Sequence, residues 1–141
     1  MPFPGLPLHA SNVEGAVKII LVEDEALIAL FVQEALEEEG FAVEFLNDAY
    51  KAEAAINAGI EEVSALVTDV RLGAELTGWE LARLAREASP NLPVVYISGD
   101  SAVEHSAQGV PDSLMIQKPF VGAQVVTALA TLVNAKPPED R

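Results

Sequence analysis

Apolar and polar positions along the chain change period repeatedly. Residues 17–22 form a β-branched run of strand length, ending in the acids Glu23, Asp24 and Glu25. From 25 to 39 the period becomes helical, with Ile28, Phe31, Val32, Ala35 and Leu36 on one face and Gly40 at the stop. A second short strand is predicted over 41–46. Asp48 then caps a weak helix through Ala58, with Gly59 after it. Residues 63–70 form a third apolar strand with Asp69 at its C-terminal end, followed by a loop holding Gly73 and Gly78. A helix over 79–88 is ended by Ser89-Pro90. The fourth strand, 92–98, leads into the turn Gly99-Asp100-Ser101 and a short helix over 102–108. The fifth strand, 114–117, stops at Lys118-Pro119, and a closing helix over 121–134 ends at Lys136-Pro137-Pro138.

Strands that alternate with helices, without hairpin turns between them, predict an α/β fold. The expected architecture is a doubly wound, five-stranded parallel sheet with helices on both faces. In such sheets the functional crevice lies at the carboxyl ends of the strands. This chain places Glu23 and Asp24 there from the first strand, Asp69 from the third, Ser98 from the fourth and Lys118 from the fifth.

Composition narrows the chemistry. A length of 141 residues is room for one domain, with 1–15 and 136–141 reading as tails and 16–135 as the folded unit. There is no cysteine, which removes disulfides, iron–sulfur clusters, thiolate zinc and a cysteine nucleophile. A net charge of −14 argues against direct binding to nucleic acid or anionic lipid. No export signal precedes residue 16, and the longest uncharged stretch, 119–135, is too short and polar to span a bilayer. The expected location is the cytoplasm.

Three carboxylates brought within a few ångströms repel one another until a proton or a cation intervenes. Oxygen donors without neighbouring histidine favour Mg²⁺. Lys118 has no lone pair to give a metal and suits an arriving anion, to which Ser98 offers one further donor. The set reads as a phosphate acceptor in which Asp69 attacks, Mg²⁺ and Lys118 neutralise the equatorial oxygens, and Ser98 orients one of them. Taken singly, each residue could be a solvated strand-end group. His105 reads as an exposed helix residue, His9 as part of the tail, and Trp79 as a partly buried helix anchor.

The motifs Ile20-Leu21-Val22-Glu23-Asp24-Glu25, Thr68-Asp69-Val70-Arg71-Leu72, Ile97-Ser98-Gly99 and Gln117-Lys118-Pro119-Phe120 occur in an order that resembles two-component response regulator receiver domains, over residues 17–134. The resemblance implies the flavodoxin-like strand order 2-1-3-4-5. It implies that Asp69 accepts a phosphoryl group from a histidine kinase or histidine phosphotransfer protein. Asp24, Asp69 and the backbone carbonyl of Arg71 would bind Mg²⁺, with Glu23 acting through water. Ser98 and Lys118 would bind the phosphoryl group, and the Lys118–Pro119 bond would be cis. Such a domain catalyses only its own phosphorylation and dephosphorylation.

Two departures stand out. Glu23 replaces the more usual aspartate, and Met115 occupies the position where many receivers carry a switch aromatic. Tyr96 with Ser98-Gly99 resembles a subgroup of stand-alone receivers. Arg71 and Asp100 occupy positions that tune hydrolysis in the family. They read either as an ion pair hindering the attacking water or as two solvated side chains.

Leu27 and Leu30 fall outside the core stripe of the first helix, the helix that docks on the kinase in receivers. The closing helix carries an apolar arc (Val121, Val125, Val126, Leu129, Leu132, Val133) and an uncharged outer face (Gln124, Thr127, Thr131, Asn134) that suits a homodimer. The expected protein is a stand-alone receiver that signals to an unidentified downstream protein. Alternatives are a phosphorylation-independent adaptor of the same fold and an aspartyl-phosphate phosphohydrolase. Haloacid-dehalogenase-like enzymes carry a second acid two residues after the nucleophile, where this chain has Arg71. A flavin or nucleotide carrier would need a phosphate loop where Glu23-Asp24-Glu25 stands, and no GxxxxGK[ST] or GxGxxG run occurs.

Overall fold

The computed structural model describes residues 17–100 and 102–135. The expectations for both tails, His9 and Ser101 lie outside the described residues. The strands are β1 (Lys18–Val22), β2 (Ala42–Leu46), β3 (Ala65–Asp69), β4 (Val94–Ser98) and β5 (Leu114–Gln117). They pair in parallel in the order β2-β1-β3-β4-β5, the doubly wound arrangement predicted. The helices are α1 (Ala26–Glu38), α2 (Ala49–Gly59), α3 (Gly78–Ala88), α4 (His105–Gln108) and α5 (Gly122–Ala135).

Side-chain alternation divides the sheet into two apolar layers. Ile20, Val22, Leu66, Val94 and Tyr96 face α2 and α3, meeting Ala52, Ile56, Leu81 and Ala85. Ile19, Leu21, Val67, Val95 and Ile97 face α1 and α5, meeting Val32, Leu36, Val125 and Leu129. All of these are buried. Burial on both sides explains why β1, β3 and β4 read as continuous hydrophobic runs rather than alternating ones. Each fully buried Leu or Ile contributes about 1.5–3 kcal/mol.

Local signals set the helix starts. The Asp48 carboxylate accepts from the N–H groups of Tyr50 and Lys51 at 2.8 and 3.0 Å, ending the extended chain and starting α2. Thr77 and Glu80 form a reciprocal capping box that starts α3. The sequence carries this start signal as Thr77-x-x-Glu80.

Several details differ from the sequence expectations. Gly59 lies inside α2, and a 3₁₀ turn (Ile60–Glu62) follows it, so the helix tightens there instead of stopping. Phe31 was expected in the core stripe but is half exposed; its ring lies 6.0 Å from that of Phe120 at the edge of the α1 layer. Val121 and Val133 leave the apolar arc of the closing helix for solvent, because α5 begins only at Gly122 and its buried side is centred on Val125 and Leu129. Gln124 is exposed as expected, but its side chain turns back to accept from the Val121 N–H at 2.8 Å. His105 is half-buried rather than exposed, because it packs against Trp79 and Tyr96.

Candidate functional site

Four strand ends meet at one edge of the sheet. β1 places Glu23 at its end, fully buried, with Asp24 and Glu25 exposed beyond it. β3 ends in Asp69, 5% exposed, and β4 in Ser98, 1% exposed. Lys118 follows directly on β5, and the Lys118–Pro119 bond after it is cis. Sheet pairing aligns Asp69 with Ile97, and Ser98 with Gln117, so neighbouring strands end level with one another. The Lys118 N–H donates to the Ser98 carbonyl at 2.8 Å, extending that alignment to the lysine.

The Lys118 ammonium lies 3.1 Å from Asp69 Oδ2, 3.3 Å from Glu25 Oε2 and 3.6 Å from Glu23 Oε1. Burial works against its positive charge, but Asp69 and the other two acids hold its pKa above the usual lysine value. Ser98 Oγ accepts from the Asp100 N–H at 3.2 Å. Arg71 donates through Nε to Asp100 Oδ1 at 2.9 Å, and both side chains are largely exposed. Asp24, Asp69, Arg71, Ser98, Asp100 and Lys118 line one open cleft of about 420 Å³.

Oxygen atoms from Glu23, Asp24, Glu25 and Asp69 lie within 4.8 Å of one another. Burial, and then the Asp69 charge, push the Glu23 carboxyl up from 4.5 to about 8. Glu23 Oε2 accepts from the Glu25 N–H at 3.2 Å, whereas Oε1 is buried and accepts no hydrogen bond. A buried carboxyl oxygen that makes no hydrogen bond and meets the Lys118 ammonium at 3.6 Å, crowded by further acids, is what a hard divalent cation relieves by displacing the proton. The donor set therefore fits Mg²⁺.

Backbone contacts hold Asp69 from below. Thr68 Oγ1 donates to the Asp69 carbonyl at 2.8 Å, and the Val70 N–H donates to Ile97 at 3.1 Å. Gly78, the first residue of α3, donates to the Val70 carbonyl at 2.8 Å; a Cβ at Gly78 would overlap the carbonyl of Asp69. Gly73 adopts φ +70°, which suits glycine, beside the Asp24 carboxylate.

A residue-19–130 match to the response regulator receiver domain decides the family. The chain belongs to that family. It is a receiver domain of the two-component response regulator kind, a signalling domain rather than a conventional enzyme. The receiver resembles a response regulator receiver protein from Sinorhizobium medicae WSM419, with a TM-score of 0.84 and 41% identity over 87% of this chain and 98% of that one. It is 32% identical to the response regulator receiver protein CpdR of Brucella abortus, over 84% of this chain and 98% of the relative. The chain spans about half the length of several other curated relatives it matches, which are transcriptional regulatory proteins. The receiver domain of the Pseudomonas aeruginosa histidine kinase PA1611 shares the fold (TM-score 0.72, 21% identity over 85% of this chain and 99% of that one) and was crystallised with magnesium in its active-site cleft.

Met115 is half-buried and pairs in register with Tyr96, packing against the α2–α3 layer. Beside it, Trp79, Tyr96 and His105 form a ring group that the sequence pattern did not bring together. The Trp79 ring centre is 4.6 Å from that of Tyr96, and the His105 ring stacks on Trp79 at 6.4 Å. Tyr96 Oη accepts from the buried N–H of Val110 at 3.1 Å. Ser113 Oγ donates to the Val110 carbonyl at 2.6 Å, so at its 2.9 Å contact with His105 it accepts a hydrogen bond from Nε2–H. The aromatic residue in an otherwise aliphatic β4 was the available signal; the two other rings come from separate helices.

Proposed function

We propose that this receiver accepts a phosphoryl group on Asp69 in a Mg²⁺-dependent reaction with a histidine kinase or histidine phosphotransfer protein. The observation that carries this reading is the position of Asp69: buried at the end of β3, 3.1 Å from the Lys118 ammonium, and on the wall of an open cleft. An Asp69 carboxylate oxygen attacks phosphorus, the P–N bond to the donor histidine breaks, and its electron pair leaves with the imidazole. Lys118 neutralises one equatorial oxygen, and the Ser98 hydroxyl donates to another. Asp24, Asp69 and the Arg71 carbonyl would hold Mg²⁺ directly and Glu23 through water; the ion supplies charge neutralisation at the transferring group.

Arg71 and Asp100 close part of the cleft mouth and slow the approach of hydrolytic water, a reading supported by their 2.9 Å contact. Residues 16–135 act as the receiver, a reading supported by a family match that falls inside them. It works alone in the cytoplasm, through protein contacts rather than nucleic acid or membrane. The acidic charge supports contacts with protein rather than with nucleic acid or anionic lipid. Leu27 and Leu30, 82% and 52% exposed, offer the kinase an apolar face beside the cleft. The uncharged outer face of α5 is the surface for a homodimer or a downstream protein.

The test is transfer of labelled phosphoryl from a phosphorylated histidine kinase. Transfer requires Mg²⁺ and is lost in Asp69→Asn; label that persists in that variant overturns the assignment.

A further inference from the structure

Glu25 occupies the N-cap of α1, yet its side chain makes no capping hydrogen bond. A carboxylate at this position ordinarily turns toward the first free N–H groups of the helix, where the backbone charge favours it. Here it reaches instead to a residue 93 positions away, placing Oε2 3.3 Å from the Lys118 ammonium. The lysine is thereby shared between Glu25 on the solvent side and Asp69 at 3.1 Å on the inner side. The hydrogen bond that ties Glu25 to Glu23, its N–H to Glu23 Oε2, belongs to the backbone and does not depend on the side chain.

We propose that Glu25 is a positioning residue that competes with the phosphoryl group for Lys118. This rests on the reading of Asp69 as phosphoacceptor and adds a residue that sets how readily the lysine is released to the new anion. An incoming phosphoryl group brings oxygens that need the Lys118 ammonium, and Glu25 must surrender its share before they obtain it. The Glu25 side chain is 59% exposed, so the contact is that of a solvent-screened ion pair. Its loss should tighten phosphoryl binding by roughly two- to fivefold.

Two substitutions separate competition for the lysine from simple charge repulsion. Glu25→Gln removes the charge. Glu25→Asp keeps it on an arm one methylene shorter, which falls short of Lys118 and is drawn to the helix N–H groups as an N-cap. The experiment is calorimetric titration of the full chain with beryllium fluoride, a phosphoryl mimic, at saturating Mg²⁺. Far-UV circular dichroism checks that α1 remains folded.

Competition predicts roughly two- to fivefold tighter binding in both variants. Unchanged binding in both, or tightening in Glu25→Gln alone, overturns it, the second result meaning that only net charge matters. Weaker binding in both also overturns it, since Glu25 would then be orienting Lys118 for the phosphoryl group. The underlying reading fails separately: wild type that does not bind the mimic, or binding that survives Asp69→Asn, removes the phosphoacceptor assignment itself.

Discussion

The Arg71 guanidinium reaches across the mouth of the cleft and donates to the Asp100 carboxylate at 2.9 Å, joining the loop after β3 to the turn after β4. Each residue lies two positions beyond a strand-end group, Asp69 and Ser98, and both line the open cleft, so on the proposed reading the pair hinders water on its way to a phosphoryl group. Both side chains are largely exposed, and an ion pair in that setting is weak. Arg71→Ala and Asp100→Ala should each shorten the phosphoryl half-life by roughly two- to fivefold, and the double variant should do no more than either alone. Decay of the labelled protein after removal of donor measures this. Additive effects would show that the residues act separately.

Glu23 gives the protein an unusual dependence on pH. The unfolded chain loses this proton near 4.5, while the folded chain keeps it to about 8. Between those values the folded state binds more protons, so stability falls as pH rises and the loss is complete above about 8. Denaturant midpoints measured with a chelator present should therefore decline from pH 5 to 8, and saturating Mg²⁺ should remove most of the decline. Glu23→Gln should flatten the profile without metal and weaken Mg²⁺ binding.

Gly78 lets α3 start directly against the backbone of the acceptor residue. Gly78→Ala forces its new Cβ into the Asp69 carbonyl, at a cost of about 1–3 kcal/mol. The displacement moves Asp69 relative to Lys118, so phosphorylation by a small acyl phosphate should slow as well. Urea denaturation and the rate of acyl phosphate consumption report the two effects.

The Tyr96 hydroxyl holds the segment between α4 and β5 through the Val110 N–H. Arg83 and Arg86 of α3 reinforce it, donating to the carbonyls of Gln108 and Pro111 at 2.9 and 2.7 Å. Tyr96→Phe leaves a buried N–H without an acceptor and should cost about 1–2 kcal/mol. Amide exchange at Val110 should accelerate, while exchange in β1 should follow only the global change. Trp79→Ala, which removes the ring beneath both Tyr96 and His105, should cost about 3–5 kcal/mol by the same denaturation assay.

The strand-end residues were legible because a parallel sheet leaves little freedom. Once the runs around Ile20, Val67 and Ile97 are recognised as buried strands, Glu23, Asp69 and Ser98 must emerge at the same edge. Helix periodicity was less informative at the margins. It placed Phe31 in the core stripe because it records the face of a helix, not where that face runs out beside Phe120. It could not place His105, whose burial depends on Trp79 and Ser113 rather than on any repeat within a four-residue helix. The Glu25–Lys118 contact was invisible for a related reason, since a long-range ion pair leaves no local pattern.

The central claim is that Asp69 is the residue that takes the phosphoryl group. Peptide mapping by mass spectrometry, after incubation with acyl phosphate and Mg²⁺, tests it most directly. The account predicts one phosphoryl addition, confined to the peptide containing Asp69 and abolished by chelation. Addition at Ser98 or elsewhere, or none in a folded Mg²⁺-loaded sample, would contradict it.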